Sequence, residues 1–170
     1  MYNNYSDNAK RNIKKAVKNN IQVEKNISPL SVINLFRENT GRKLKNLKDR
    51  NYHILNQLIQ ECISRGHAEV WGVLTKEKKL CAGIFWIKTN DRCIFHFSAT
   101  NHEAKKNGSM FLLIDTFIRE HAEKKIILDF EGSNKKNLAQ FYKSFGAMEC
   151  VYLQARKNNL PLIVKWLKEL

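Results

Sequence analysis

Residues 126–147 read Ile-Ile-Leu-Asp-Phe-Glu-Gly-Ser-Asn-Lys-Lys-Asn-Leu-Ala-Gln-Phe-Tyr-Lys-Ser-Phe-Gly-Ala, from Ile126 to Ala147. The run Ile126–Phe130 is short and apolar apart from Asp129, the pattern of a central strand covered on both faces. Asp129 inside such a strand needs a polar partner. The Asx- and Ser-rich stretch that follows is a loop. Lys135–Phe145 then has helical spacing, with Leu138, Phe141, Tyr142 and Phe145 on one stripe. A strand, polar loop and helix in this order open a ligand site at the strand's carboxyl end, beside the helix start.

Working upstream, Gly108–Glu123 predicts a helix with Met110, Leu113, Ile114, Phe117 and Ile118 inward. Before it, Ala68–Thr75, Leu80–Lys88 and Arg92–Thr100 read as strands joined by short polar turns, an antiparallel meander. The front of the chain is helical. Residues 7–18 put Ile13, Ala16 and Val17 on one face and Lys10, Arg11, Lys14, Lys15 and Lys18 on the other. Ile21 and Val23 alternate with polar neighbours, as in a short strand. Ser28-Pro29 starts a second helix through Val32, Ile33 and Phe36, which Gly41 can end. Residues 48–65 form a third, through Leu55, Leu58, Ile59, Cys62 and Ile63, closed by Gly66. Downstream, Cys150–Ala155 reads as a further strand and Pro161–Leu167 as a closing helix. The order predicts an α/β fold: a mixed, mostly antiparallel sheet flanked by helices. Residues 1–66 form its basic helical N-terminal part and residues 67–170 its sheet-and-helix core, in one domain overall.

Composition narrows the function class. Of 170 residues, 30 are Lys or Arg against 16 Asp or Glu, for a net charge of +14. Such an excess favours polyanionic partners such as nucleic acid or phosphate-rich cofactors, without choosing among them. No apolar run approaches the roughly 20 residues of a membrane span, and the start lacks a signal pattern, so the expected location is cytoplasmic. Cys62, Cys81, Cys93 and Cys150 form no Cys-x-x-Cys pair, so neither a metal site nor a disulfide framework is expected.

Several residues have the chemistry for a site. Lys105-Lys106-Asn107-Gly108-Ser109-Met110 follows a strand and opens a helix, where backbone N–H groups and two lysines make a pyrophosphate cradle or, alternatively, an ordinary polar loop. Glu131 lies just past the strand end and is the candidate base; its alternative is a carboxylate facing a helix N-terminus. His96 shares a strand face with Ile94, Ser98 and Thr100 and can relay a proton or serve structure alone. The basic helix can follow a phosphate backbone or simply face solvent.

The ending Phe141-Tyr142-Lys143-Ser144-Phe145-Gly146-Ala147, after Asp129-Phe130-Glu131-Gly132-Ser133, resembles the GNAT N-acyltransferases and, more closely, their FemAB-like relatives, the Fem-type peptidyltransferases. Tyr5-Ser6 followed by Lys10-Arg11-Asn12-Ile13-Lys14-Lys15-Ala16 resembles the basic helix that opens the second module of that group. The resemblance implies the GNAT fold, with acyl-CoA (acetyl-CoA in the common case) held where two strands splay apart. It also implies an amine acceptor, small molecule or peptide. The family's pyrophosphate loop falls on Lys105, Gly108 and Met110, and Tyr142 falls on the tyrosine that protonates the departing thiolate. Fem-type enzymes usually carry two such modules and use aminoacyl-tRNA, which would touch Lys10, Arg11, Lys14, Lys15 and Lys18. A GNAT-shaped module kept for binding alone is the remaining alternative.

Overall fold

The computed structural model describes residues 2–132, 135–153, 155 and 157. Five strands form one sheet in the order β1 (Gln22–Lys25), β2 (Ala68–Leu74), β3 (Leu80–Lys88), β4 (Arg92–Thr100) and β5 (Ile127–Asp129). The first four pair antiparallel and β5 joins β4 in parallel. The helices are α1 (Asp7–Lys18), α2 (Pro29–Glu38), α3 (Asp49–Ser64), α4 (His102–Asn107), α5 (Ser109–Glu120) and α6 (Lys136–Lys143).

The sheet separates two cores. On one face α1, α5 and α6 cover Trp71, Trp86, Cys93 and Phe95; on the other, α2 and α3 cover Val70, Phe85 and Ala99. Trp86 stacks on Phe117 of α5 at 4.0 Å, and both are fully buried. Side chains of this size stabilise the fold by about 1.5–3 kcal/mol each when removed from water. Ser6 caps α1 by accepting the Ala9 N–H at 3.2 Å. The buried stripe of α1 is Ala9, Ile13 and Ala16, whereas Val17, expected inward, is exposed. In α3, Leu58 and Ile63 likewise face solvent, and Tyr52 and Ile59 are the buried positions. Cys81 and Cys93 are buried free thiols, Cys62 is half-buried, and Cys150 is exposed.

Two expectations are corrected. The strand at 126–130 is not central: among the described residues β5 is the sheet's edge, and Ile127 on its outer side is exposed. The expected strand at 150–155 is absent from its described residues, where Val151, Tyr152 and Leu153 are exposed and no strand pairing forms. Extended chain becomes a strand only when a partner edge satisfies its peptide groups, and among the described residues none meets it there. The helix expected over 108–123 forms as α5, and a short helix the sequence reading did not expect, α4, precedes it; Gly108, with φ +81°, separates the two. The closing helix at Pro161–Leu167 lies outside the described residues.

Candidate active site

β4 and β5 pair over only three positions, Arg92–Ile127, Cys93–Leu128 and Ile94–Asp129. β4 then continues to Thr100 while β5 stops, so the strands part and the β4 edge beyond Ile94 has no strand beside it among the described residues. A bulge sits at this fork. Phe85 faces Phe97 and Trp86 faces Phe95 across β3, which leaves His96 as the extra residue. The bulge exchanges the two faces of β4: Cys93 and Phe95 enter the core under α5, while Phe97 and Ala99 enter the core under α2. His96 therefore shares its face with Ile94 but not, as strict alternation predicted, with Ser98 and Thr100.

Across the fork His96 meets Glu131. Their Nδ1 and Oε1 atoms are 3.0 Å apart, and both side chains are open to solvent. The His96 ring stands edge-on to Phe85 of the α2 side at 5.8 Å. Tyr142 approaches from the other side. Its ring stacks on Phe130 at 4.6 Å and meets Phe95 edge-on at 5.7 Å, both members of the core under α5. Burial, and then the nearby Glu131 carboxylate, push the Tyr142 hydroxyl above its ordinary pKa. The fork thus brings His96 and Glu131 together on one face of the sheet, with Tyr142 on the opposite face and within the field of Glu131. The Glu131 carboxylate faces the His96 ring.

The segment 105–110, read from the sequence as a pyrophosphate cradle or an ordinary polar loop, differs between its two halves. Lys105 and Lys106 are exposed in the last turn of α4, but Gly108, Ser109 and Met110 are buried. A β-carbon on Gly108 would stand 2.4 Å from the Asn12 carbonyl oxygen, so the bare side of this glycine faces the backbone of α1. The Gly108 N–H goes to the Ala104 carbonyl, and the Ser109 N–H goes to Asn107 Oδ1 at 3.0 Å. The Ser109 hydroxyl lies 3.3 Å from the Cys81 thiol.

At the same end of the sheet, α1, α4 and the β2–β3 turn enclose a cleft of about 330 Å³ whose walls include Lys15, Lys76 and Lys106. Among the described residues Lys14, Lys15, Lys18, Lys76, Lys105 and Lys106 form no ion pair. Lys10 and Arg11 are committed locally, to the Asn3 carbonyl and to Asn8 Oδ1. Sequence reading passed over Lys76 because a turn lysine carries no signal until its neighbours are known. Arg92, paired with Asp129 at 2.5 Å, was missed for the same reason.

Residues 5–144 match the family model described as an acetyltransferase (GNAT) domain. The chain belongs to the GNAT acetyltransferase family. No curated protein sequence matches this chain, but solved structures do. One is an aminoglycoside acetyltransferase from an uncultured soil metagenomic sample in complex with sisomicin, 16% identical with a TM-score of 0.61, covering 84% of this chain and 99% of that one. A predicted acetyltransferase from Clostridium acetobutylicum with acetyl-CoA is 16% identical with a TM-score of 0.59, covering 80% and 96%. FemX is 14% identical with a TM-score of 0.66; the match covers 85% of this chain and 54% of FemX, so the GNAT domain spans about half of that protein. At these identities the likeness is one of fold.

Whether the domain fits an acyl-CoA can be judged from its own atoms. The unpaired edge of β4 offers peptide groups to an extended, amide-bearing arm, and Lys105 and Lys106 are exposed cations within reach of the strand's end. The N–H groups of Gly108 and Ser109 are already used within the chain and add nothing to that fit. Among the described residues no group of three His, Cys, Asp or Glu side chains is placed to hold a metal, and no helix is long and apolar enough to cross a membrane.

Proposed function

We propose that this GNAT domain is an N-acyltransferase that moves an acyl group, acetyl in the simplest case, from acyl-CoA to an amine. The observation that carries the reading is the fork itself, with His96 and Glu131 3.0 Å apart on one face and Tyr142 on the other. Acyl-CoA, when bound, supplies an activated thioester carbonyl. Glu131, backed by His96, takes the proton that the attacking amine sheds as its nitrogen bonds to the carbonyl carbon. Tyr142 gives its proton to the sulfur as the carbon–sulfur bond breaks, so acid and base stand on opposite sides of the reacting carbon. Tyr142 carries its proton at neutral pH, as any tyrosine does, and burial lifts its pKa further, so it donates only as negative charge builds on the departing sulfur.

The acetyl-CoA-bound neighbour supports the donor, and the sisomicin-bound neighbour supports an amine acceptor. A net charge of +14 disfavours polycationic acceptors at long range, so an amine on a neutral or acidic molecule is the better fit here. The test is release of CoA thiol from acetyl-CoA against a panel of amino acids, peptides and aminoglycosides. A thermal shift with CoA but no turnover against any amine would leave a binding module.

The Fem-type alternative, transfer from aminoacyl-tRNA, draws support from Lys15, Lys76 and Lys106, which line the cleft of α1, α4 and the β2–β3 turn without an ion pair among the described residues. Salt-sensitive tRNA binding with no thermal shift by CoA would favour it.

A further inference from the structure

Glu131 has φ +56°, a left-handed conformation that a side chain other than glycine rarely adopts, although Gly132 follows directly. Backbone strain of this kind persists only where neighbouring groups impose it. Here the neighbour is Asp129. Its Oδ1 accepts the Glu131 N–H at 2.7 Å, the hydrogen bond by which an aspartate turns its own chain two residues on. Its Oδ2 accepts from Arg92 Nη1 at 2.5 Å. Asp129 pairs with Ile94 in register, and Arg92 and His96 flank Ile94 on the same face of β4. Arg92 therefore anchors Asp129 on one side of Ile94, and the turn that Asp129 makes carries Glu131 to His96 on the other.

We infer that Asp129 is a positioning residue: it holds Glu131 in the one backbone conformation that sets its carboxylate against His96. The inference rests on the reading of Glu131 and His96 as the base. Side chains here are 30% exposed for Asp129 and 45% for Arg92, so the ion pair itself contributes little stability. What the carboxylate supplies is direction. An asparagine keeps the oxygen that accepts the Glu131 N–H and loses the charge toward Arg92; an alanine loses both.

The test compares Asp129→Asn, Asp129→Ala and Glu131→Gln in the full chain by the NMR signals of the His96 ring at one fixed pH, together with CoA release from acetyl-CoA. The expected result is that Asp129→Ala and Glu131→Gln shift the His96 signals alike while Asp129→Asn leaves them near the parent. In turnover, Asp129→Ala loses about 10- to 100-fold in kcat with KM for acetyl-CoA little changed, and Asp129→Asn retains most of it. Adding Asp129→Ala to Glu131→Gln then costs nothing more, because both act through one carboxylate. Parent-like His96 signals in Asp129→Ala, beside shifted ones in Glu131→Gln, overturn the positioning role and leave the pair standing. Equal damage from Asp129→Asn and Asp129→Ala also overturns it, making the aspartate a strand tie through Arg92. Unmoved His96 signals in Glu131→Gln remove the pair itself, and the inference with it.

Discussion

The rings of Tyr142 and Phe130 lie face to face, 4.6 Å between centroids and 19° from parallel. The stack fixes the tyrosine by its ring and leaves the hydroxyl outside that packing contact, with Glu131 near enough to raise its pKa. Tyr142→Phe keeps the stack and removes one proton. The expected outcome is a loss on the order of 10²–10⁴ in turnover of acetyl-CoA, with an unchanged melting temperature. Steady-state kinetics beside a thermal melt checks both halves; a lowered melting temperature with intact turnover would make the hydroxyl structural.

The bare side of Gly108 faces the backbone of α1. Its φ of +81° and the Asn12 carbonyl, 2.4 Å from any added β-carbon, both oppose a side chain. Gly108→Val should cost roughly 2–4 kcal/mol, from left-handed strain and overpacking together. Urea unfolding measures it. A stable variant that merely fails to respond to CoA would return Gly108 to the ligand site.

Glu69 ties β2 to β3. Burial works against its charge, yet hydrogen bonds from Lys88 and Trp71 hold its carboxyl below the ordinary value of 4.5. A depressed carboxyl stabilises the fold above its unfolded pKa and loses that contribution as pH falls through the folded one. Glu69→Gln should therefore lower the melting temperature at about pH 7 and make little difference near pH 3. A deficit that stays constant across that range would point to packing instead.

Lys14, Lys15 and Lys18 are exposed on α1 without an ion pair among the described residues, and Lys15 lines the cleft. If they touch phosphates, replacing all three with glutamine should weaken tRNA binding and reduce its salt-dependence slope by about 2–3. Filter binding across a salt series gives the slope directly, and an unchanged one would assign these lysines to solvent.

Cys150 is exposed, whereas burial pushes the Cys93 thiol up to about 12. An aromatic disulfide reagent should modify Cys150 in the native protein and reach Cys93 only after unfolding. Rapid modification of native Cys93 would mean that the core under α5 opens readily.

Much of the frame was legible because local rules and tertiary packing agree. The meander over β2, β3 and β4 alternates faces and is broken by polar turns, and Ser6 and Ser28-Pro29 mark the starts of α1 and α2. The apolar run at 126–130 misled: it predicted a strand covered on both sides, but whether a neighbour lies beyond β5 depends on a segment tens of residues away in the fold's order. His96, Glu131 and Tyr142 were nominated for their chemistry one at a time, and no spacing in the chain related them.

By itself the sequence determined the excess of positive charge and most of the helices and strands, the latter because they depend on neighbours within a few residues. Only the tertiary structure decided the rest. A single extra residue at His96 turns the faces of β4 over, and three paired positions end where two strands diverge. That divergence sets residues 35 apart in sequence within 3.0 Å. Periodicity cannot report a bulge or a fork, because both arise from how one strand's hydrogen bonds meet those of another.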